Sequence, residues 1–127
     1  MEVFPPLTKT SGTLMLALID WISKAEGGRR RLPSGVGEPP YSPEVRFLDD
    51  PWPAEIGWSF AVRKVSELDY PRRWLAEVAY RMPEAPGERL QEGREFELYE
   101  GKKCVARGRL VGAEFRLDQS QPPALPV

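Results

Sequence analysis

The chain has 127 residues, enough for one packed core, and Lys+Arg 18 against Asp+Glu 19 leaves a formal net charge of -1, so no global field draws it to nucleic acid or to a membrane surface. With His 0 and Cys 1 there is no imidazole base, no Ser-His-Asp or Cys-His arrangement, no His-containing zinc site and no disulfide. Neither a G-x-x-x-x-G-K-[ST] nor a G-x-G-x-x-G motif occurs, so no nucleotide partner and no cofactor is expected.

The start, MEVFPPLTKT, lacks the charged-then-apolar order of a signal peptide, and no apolar run approaches the roughly 20 residues that span a bilayer. A cytoplasmic protein with no membrane partner is therefore expected. Residues 1–12 read as an N-terminal extension, 13–117 as one domain and 118–127, DQSQPPALPV, as a mobile proline-rich tail.

Pro 14 and Gly 11 are spread as punctuation along the chain, which favours many short elements and an all-β domain. The first element is ambiguous. TLMLALIDWISKAEGG (13–28) has a helical composition, with Thr13 as N-cap and Gly27-Gly28 as C-cap. As a strand it places Met15, Ala17, Ile19 and Trp21 on one face and Leu14, Leu16, Leu18, Asp20 and Ile22 on the other, both largely apolar. RFLDDPWPAE (46–55) reads as a strand end and a proline-marked loop, in which Asp49 and Asp50 are turn residues. Alternation in IGWSFAVRKV (56–65) puts Trp58, Phe60 and Val62 on one side, and in WLAEVAYRM (74–82) it does the same for Trp74, Ala76, Val78 and Tyr80. SELDYPRR (66–73) reads as a turn-rich crossing and PEAPGERLQEG (83–93) as a longer loop. REFELYE (94–100) turns Phe96 and Leu98 inward, and CVARGRLV (104–111) closes the set, with Gly108 a bulge or a close backbone approach. Cys104 reads as a small buried side chain rather than a reactive thiol.

The hairpin FELYEGKKCVARGRLV (96–111) resembles the last hairpin of the third domain of elongation factor Tu: Phe96, Leu98, Glu100, Gly101, Val105 and Gly108 fall on its Phe-x-Leu/Ile-x-Glu-Gly-x-x-x-Val-x-x-Gly pattern, and Gly93 fits the glycine before it. AEGGRRRLP (25–33) resembles that domain's Glu-Gly-Gly-Arg-x-x-Pro loop at Glu26, Gly27, Gly28 and Arg29, with Pro33 one residue late, and Tyr41, Pro43 and Phe47 match its Tyr-x-Pro-x-x-x-Phe strand entry. The resemblance implies that 14–22 is a strand and that the fold is a six-stranded antiparallel Greek-key barrel. The factor's GTPase domain and second barrel have no counterpart, the stretch from Arg31 to Tyr41 is longer than the pattern, and Arg107 stands where the factor has a very small residue.

In the factor this loop and hairpin turn lie on the face that touches the T-stem of aminoacyl-tRNA. By the resemblance, Arg29, Arg30, Arg31, Lys102 and Lys103 are candidate phosphate contacts, with Arg29 left exposed after the glycine pair. A solvated face is the plainer account of an arginine run, and glutamates at 84, 88, 92, 95, 97 and 100 would repel RNA if they shared that surface. Trp21, Trp58 and Trp74, with Phe47, Phe60 and Phe96, read as core. Trp52, held between Pro51 and Pro53, is a candidate protein-contact anchor. Nothing places Asp49 or Asp50 beside Asp20 or Glu26 as a paired-carboxylate site, so no enzymatic activity is expected. The leading expectation is a non-catalytic protein-interaction or immunity-type module, and the alternative is an RNA-binding module.

Overall fold

The computed structural model describes residues 14–34, 36–37, 39–49, 57–82, 84–85 and 87–112. Six strands, β1 (Met15–Trp21), β2 (Glu44–Phe47), β3 (Trp58–Glu67), β4 (Arg73–Tyr80), β5 (Glu95–Glu100) and β6 (Lys103–Val111), close into an antiparallel barrel in the order β1-β4-β3-β2-β5-β6. The chain runs β2–β3–β4 through adjacent strands and then returns to lay β5 beside β2, which is the Greek-key arrangement. Among the described residues no helix is long and apolar enough to cross a membrane.

The expected alternation holds through the core. Ala17, Ile19 and Trp21 of β1, Phe60 and Val62 of β3, Trp74, Ala76, Val78 and Tyr80 of β4, and Phe96 and Leu98 of β5 meet inside the barrel. Edge-to-face aromatic contacts fill it: Phe47, Phe60 and Phe96 cluster with centroids 5.4 to 6.1 Å apart, and Trp21 packs on Trp74 at 4.9 Å. Tertiary pairing overrides the helical propensity of 14–22, because β1 is hydrogen-bonded to β4 on one side and β6 on the other. Its outer face is buried too, with Leu16 and Leu18 packed against Leu75 and Val111.

Two local expectations, for 66–73 and for Cys104, need correction, and the two readings of Gly108 are separated. Ser66 and Glu67 extend β3 and Arg73 opens β4, so the reversal is confined to 68–72. The bulge of the last hairpin is not at Gly108: the register steps from Leu98↔Ala106 to Tyr99↔Cys104, so Val105 is the extra residue. Val105 and Ala106 are both buried as a result, and Cys104 is left half-buried instead of joining the core. Gly108 is instead the close approach, since a Cβ there would lie 2.4 Å from Phe96 Cζ and 2.8 Å from the Leu18 carbonyl oxygen. The proposed boundaries at 13, 117 and 118 lie outside the described residues.

Register fixes which loops share an end. Asp20 pairs with Arg73, Trp21 with Ala106 and Glu44 with Tyr99, so the connections 22–43, 68–72 and 101–102 all emerge at one end of the barrel. The start of β1, the connections 48–57 and 81–94 and the end of β6 emerge at the other.

Candidate partner-binding site at one end of the barrel

The loop after β1 is shaped by backbone contact. A short 3₁₀ turn at Lys24–Glu26 ends in Gly27 at φ 97, and the Gly28 N–H then donates to the Ser23 carbonyl at 2.7 Å. Gly28 sits where a Cβ would be 1.8 Å from the Ile22 carbonyl oxygen, so only glycine allows the chain to fold back on itself here. The following arginine is thrown across the barrel end toward the β5–β6 turn.

Arg29 is therefore not the exposed cation the sequence implied. Its guanidinium donates to Glu100 Oε2 and its Nε to the Arg31 carbonyl at 2.7 Å, and it lies 5.5 Å from the Tyr41 ring centroid. The Tyr41 hydroxyl donates to the same Glu100 oxygen. Burial followed by the Glu100 hydrogen bond and charge raises the Tyr41 pKa well above the usual phenol value. For Arg29, burial opposes the charge, and the Glu100 hydrogen bond and charge outweigh it to raise the pKa. The pairing joins segments 71 residues apart in sequence.

Arg30, Arg31, Lys102 and Lys103 are exposed, as is Lys24, and none of the five has an ion pair among the described residues. Loop and hairpin turn thus share one end, held together by Arg29 and Glu100. From the third connection Arg72 donates to the Ile22 carbonyl at 3.1 Å and the Arg29 carbonyl at 3.3 Å. Sequence reading missed Arg72, Tyr41 and Glu100 as partners because no local pattern marks a contact between strands. Trp52 lies outside the described residues, as do Asp50, Pro51 and Pro53.

The acidic residues are sorted as strictly. Glu84, Glu88, Glu92 and Glu95 belong to the opposite end, Glu97 faces Arg107 at 3.6 Å, and Glu100 is occupied by Arg29. Of the acids near the cationic end, Glu26 accepts from the Ser23 hydroxyl, Glu67 pairs with Lys64 at 2.9 Å and Asp69 with Arg73 at 3.5 Å. Neighbouring strands set side by side an alternating series Arg73, Asp20, Arg107, Glu97, Arg46, of which Arg73, Asp20 and Arg107 bound a hollow of about 200 Å³ with Arg109 and Glu95. Asp20, held by Tyr70 and Arg73, and Asp49, held by Arg94 and Arg89, are at opposite ends, so they do not form a carboxylate pair. Cys104 is a half-buried thiol whose pKa is raised by burial and by Glu97.

Taken by itself this arrangement can offer cations to an anionic surface and has no assembled nucleophile or acid–base pair among the described residues. Neither a family model nor a curated protein matches the chain.

Proposed function

We propose that the protein is a non-catalytic binding module that grips the phosphate backbone of structured RNA with the end of the barrel that carries Lys24, Arg30, Arg31, Lys102 and Lys103. The observation that carries this reading is the segregation of charge: among the described residues five exposed cations without ion pairs share one end, Glu44, Glu67 and Glu100 near it are ion-paired, Glu26 accepts from the Ser23 hydroxyl, and Glu84, Glu88, Glu92 and Glu95 belong to the other end. The resemblance to the third domain of elongation factor Tu supports it, as does the ability of Arg and Lys to hold phosphates without reading sequence. A cytoplasmic location goes with this reading.

The test is binding of a structured, tRNA-like RNA over a range of salt concentrations. Each phosphate neutralised releases condensed counterions, so the logarithm of affinity falls with log salt by roughly 0.7–0.9 per contact. Replacing Arg30 and Arg31 with alanine flattens the slope and weakens binding. The sequence also supports a protein-interaction module anchored by Trp52, on the strength of the formal charge of -1. That alternative gives salt-insensitive capture of a protein partner and loss on Trp52→Ala, with no RNA binding even at low salt.

A further inference from the structure

We propose that Tyr41, Glu100 and Arg29 form a clamp that sets the position of Arg30 and Arg31 relative to Lys102 and Lys103, with Glu100 as the positioning residue and Arg29 withdrawn from partner contact; this rests on the RNA-binding reading above. One oxygen of Glu100 accepts from both the Tyr41 hydroxyl and the Arg29 guanidinium. Tyr41 is itself fixed to the barrel: its carbonyl accepts from the Val62 N–H at 2.9 Å and its ring packs 5.6 Å from buried Trp21. Glu100 ends β5 and directly precedes Gly101 and the turn that carries Lys102. Arg29 passes the restraint on to the next two residues through its own hydrogen bond to the Arg31 carbonyl, while Arg72 grips the Arg29 carbonyl from the other side. The backbone that bears Arg30 and Arg31 is thus tied to the core and to the hairpin at once.

Such a frame has a purpose in binding. Ordering long cationic side chains and their loop on a partner costs affinity, and a loop already held in place loses less. Glu100 sits among cations, yet the clamp spends its charge on Arg29, so it presents little net repulsion to an approaching phosphate. Electrostatics alone and the clamp therefore predict opposite signs. If charge alone governs, Glu100→Gln removes an anion, frees Arg29 and tightens RNA binding with a steeper salt slope. If the clamp governs, Glu100→Gln weakens binding.

The experiment compares wild type, Glu100→Gln and the charge-neutral Tyr41→Phe by binding of a tRNA-like RNA at two salt concentrations and by amide hydrogen exchange across 27–31, with circular dichroism confirming an intact barrel. Both variants are expected to weaken RNA binding by about threefold to tenfold, the range set by losing one hydrogen bond, and to speed exchange in the loop. Unchanged exchange overturns the clamp whatever the RNA result. Faster exchange with tighter RNA binding by Glu100→Gln overturns the positioning role and leaves charge in control. Wild type that binds no RNA at low salt overturns the functional reading, and with it the clamp's role in binding, while the exchange data alone still report whether the loop is held.

Discussion

Gly101 and Gly108 are required by different forces, and the difference is measurable. Gly101 has φ 63 with nothing within 4 Å of a built Cβ, so a side chain there meets strain and no clash. Gly101→Val should lower stability by about 1–2 kcal/mol, whereas Gly101→Asn, which tolerates the left-handed region, should cost little. Gly108 has no such backbone requirement; the Phe96 ring lies over its Cα, and Gly108→Ala should cost about 1–3 kcal/mol by displacing that ring. Urea midpoints with unchanged slopes check both. Glu100-Gly101 was legible as a reversal because the conformational demand is local, while the bulge at Val105 was not, since it depends on how β6 registers on β5. Tyr41 adds a pH test with a definite sign. Its folded pKa is raised, so its contribution to stability is complete below the unfolded value of about 10 and is lost as pH rises toward the folded value. Tyr41→Phe should therefore reduce the alkaline loss of stability, with Tyr99, pushed up to about 12 by burial and by its hydrogen bond to Glu97, accounting for part of what remains.

At the scale of elements, β1 is where local and tertiary preferences collide. Its composition is helical, but Leu16, Ala17, Leu18, Ile19 and Asp20 are paired with strands on both sides, and the two faces bury separate apolar groups. A helix would have to abandon one of them. Ile19→Ala on the inner face and Leu18→Ala on the outer should each cost about 2–5 kcal/mol, a range set by lost burial and the cavity left behind. An outer-face cost near zero in thermal or urea unfolding would show that β1 is buried on one side only. The alternation of β1 and β4 marked which residues share a face, and thereby most of the core. It did not mark that the outer face of β4 is buried as well, with Leu75 and the Arg63–Glu77 pair almost inaccessible. That depends on neighbours β1 and β3, whose adjacency is a matter of topology. At the far end, Arg94 lies 4.3 Å above the Phe47 ring and also holds Asp49, whose carboxyl is kept below its ordinary value chiefly by that hydrogen bond. The pair contributes above the ordinary carboxylate pKa and is lost as pH falls through the depressed one.

Across the whole molecule the net charge of -1 conceals a polarity that only the fold creates. Arg30, Arg31, Lys102 and Lys103 were visible in the sequence as cations and Glu84, Glu88 and Glu92 as anions, but whether they share a surface depends on where each connection emerges. Antiparallel pairing sends 22–43 and 101–102 to one end and 81–94 to the other, which separates the two sets. Distance then decides how strongly the acidic end is felt. A strand of seven residues is roughly 23 Å long at about 3.3 Å per residue, more than two Debye lengths at about 8 Å in physiological salt. Neutralising Glu84, Glu88 and Glu92 together to glutamine should thus change RNA affinity by less than about twofold in physiological salt, and should raise it visibly at about 0.01 M, where the Debye length reaches about 30 Å. Replacing Lys102 and Lys103 with alanine should instead reduce the salt slope in both regimes, because those residues would be direct phosphate contacts. An equal effect of the glutamine and alanine sets at physiological salt would mean that the partner spans both ends of the barrel, and the assignment of the binding face to the cationic end would fall.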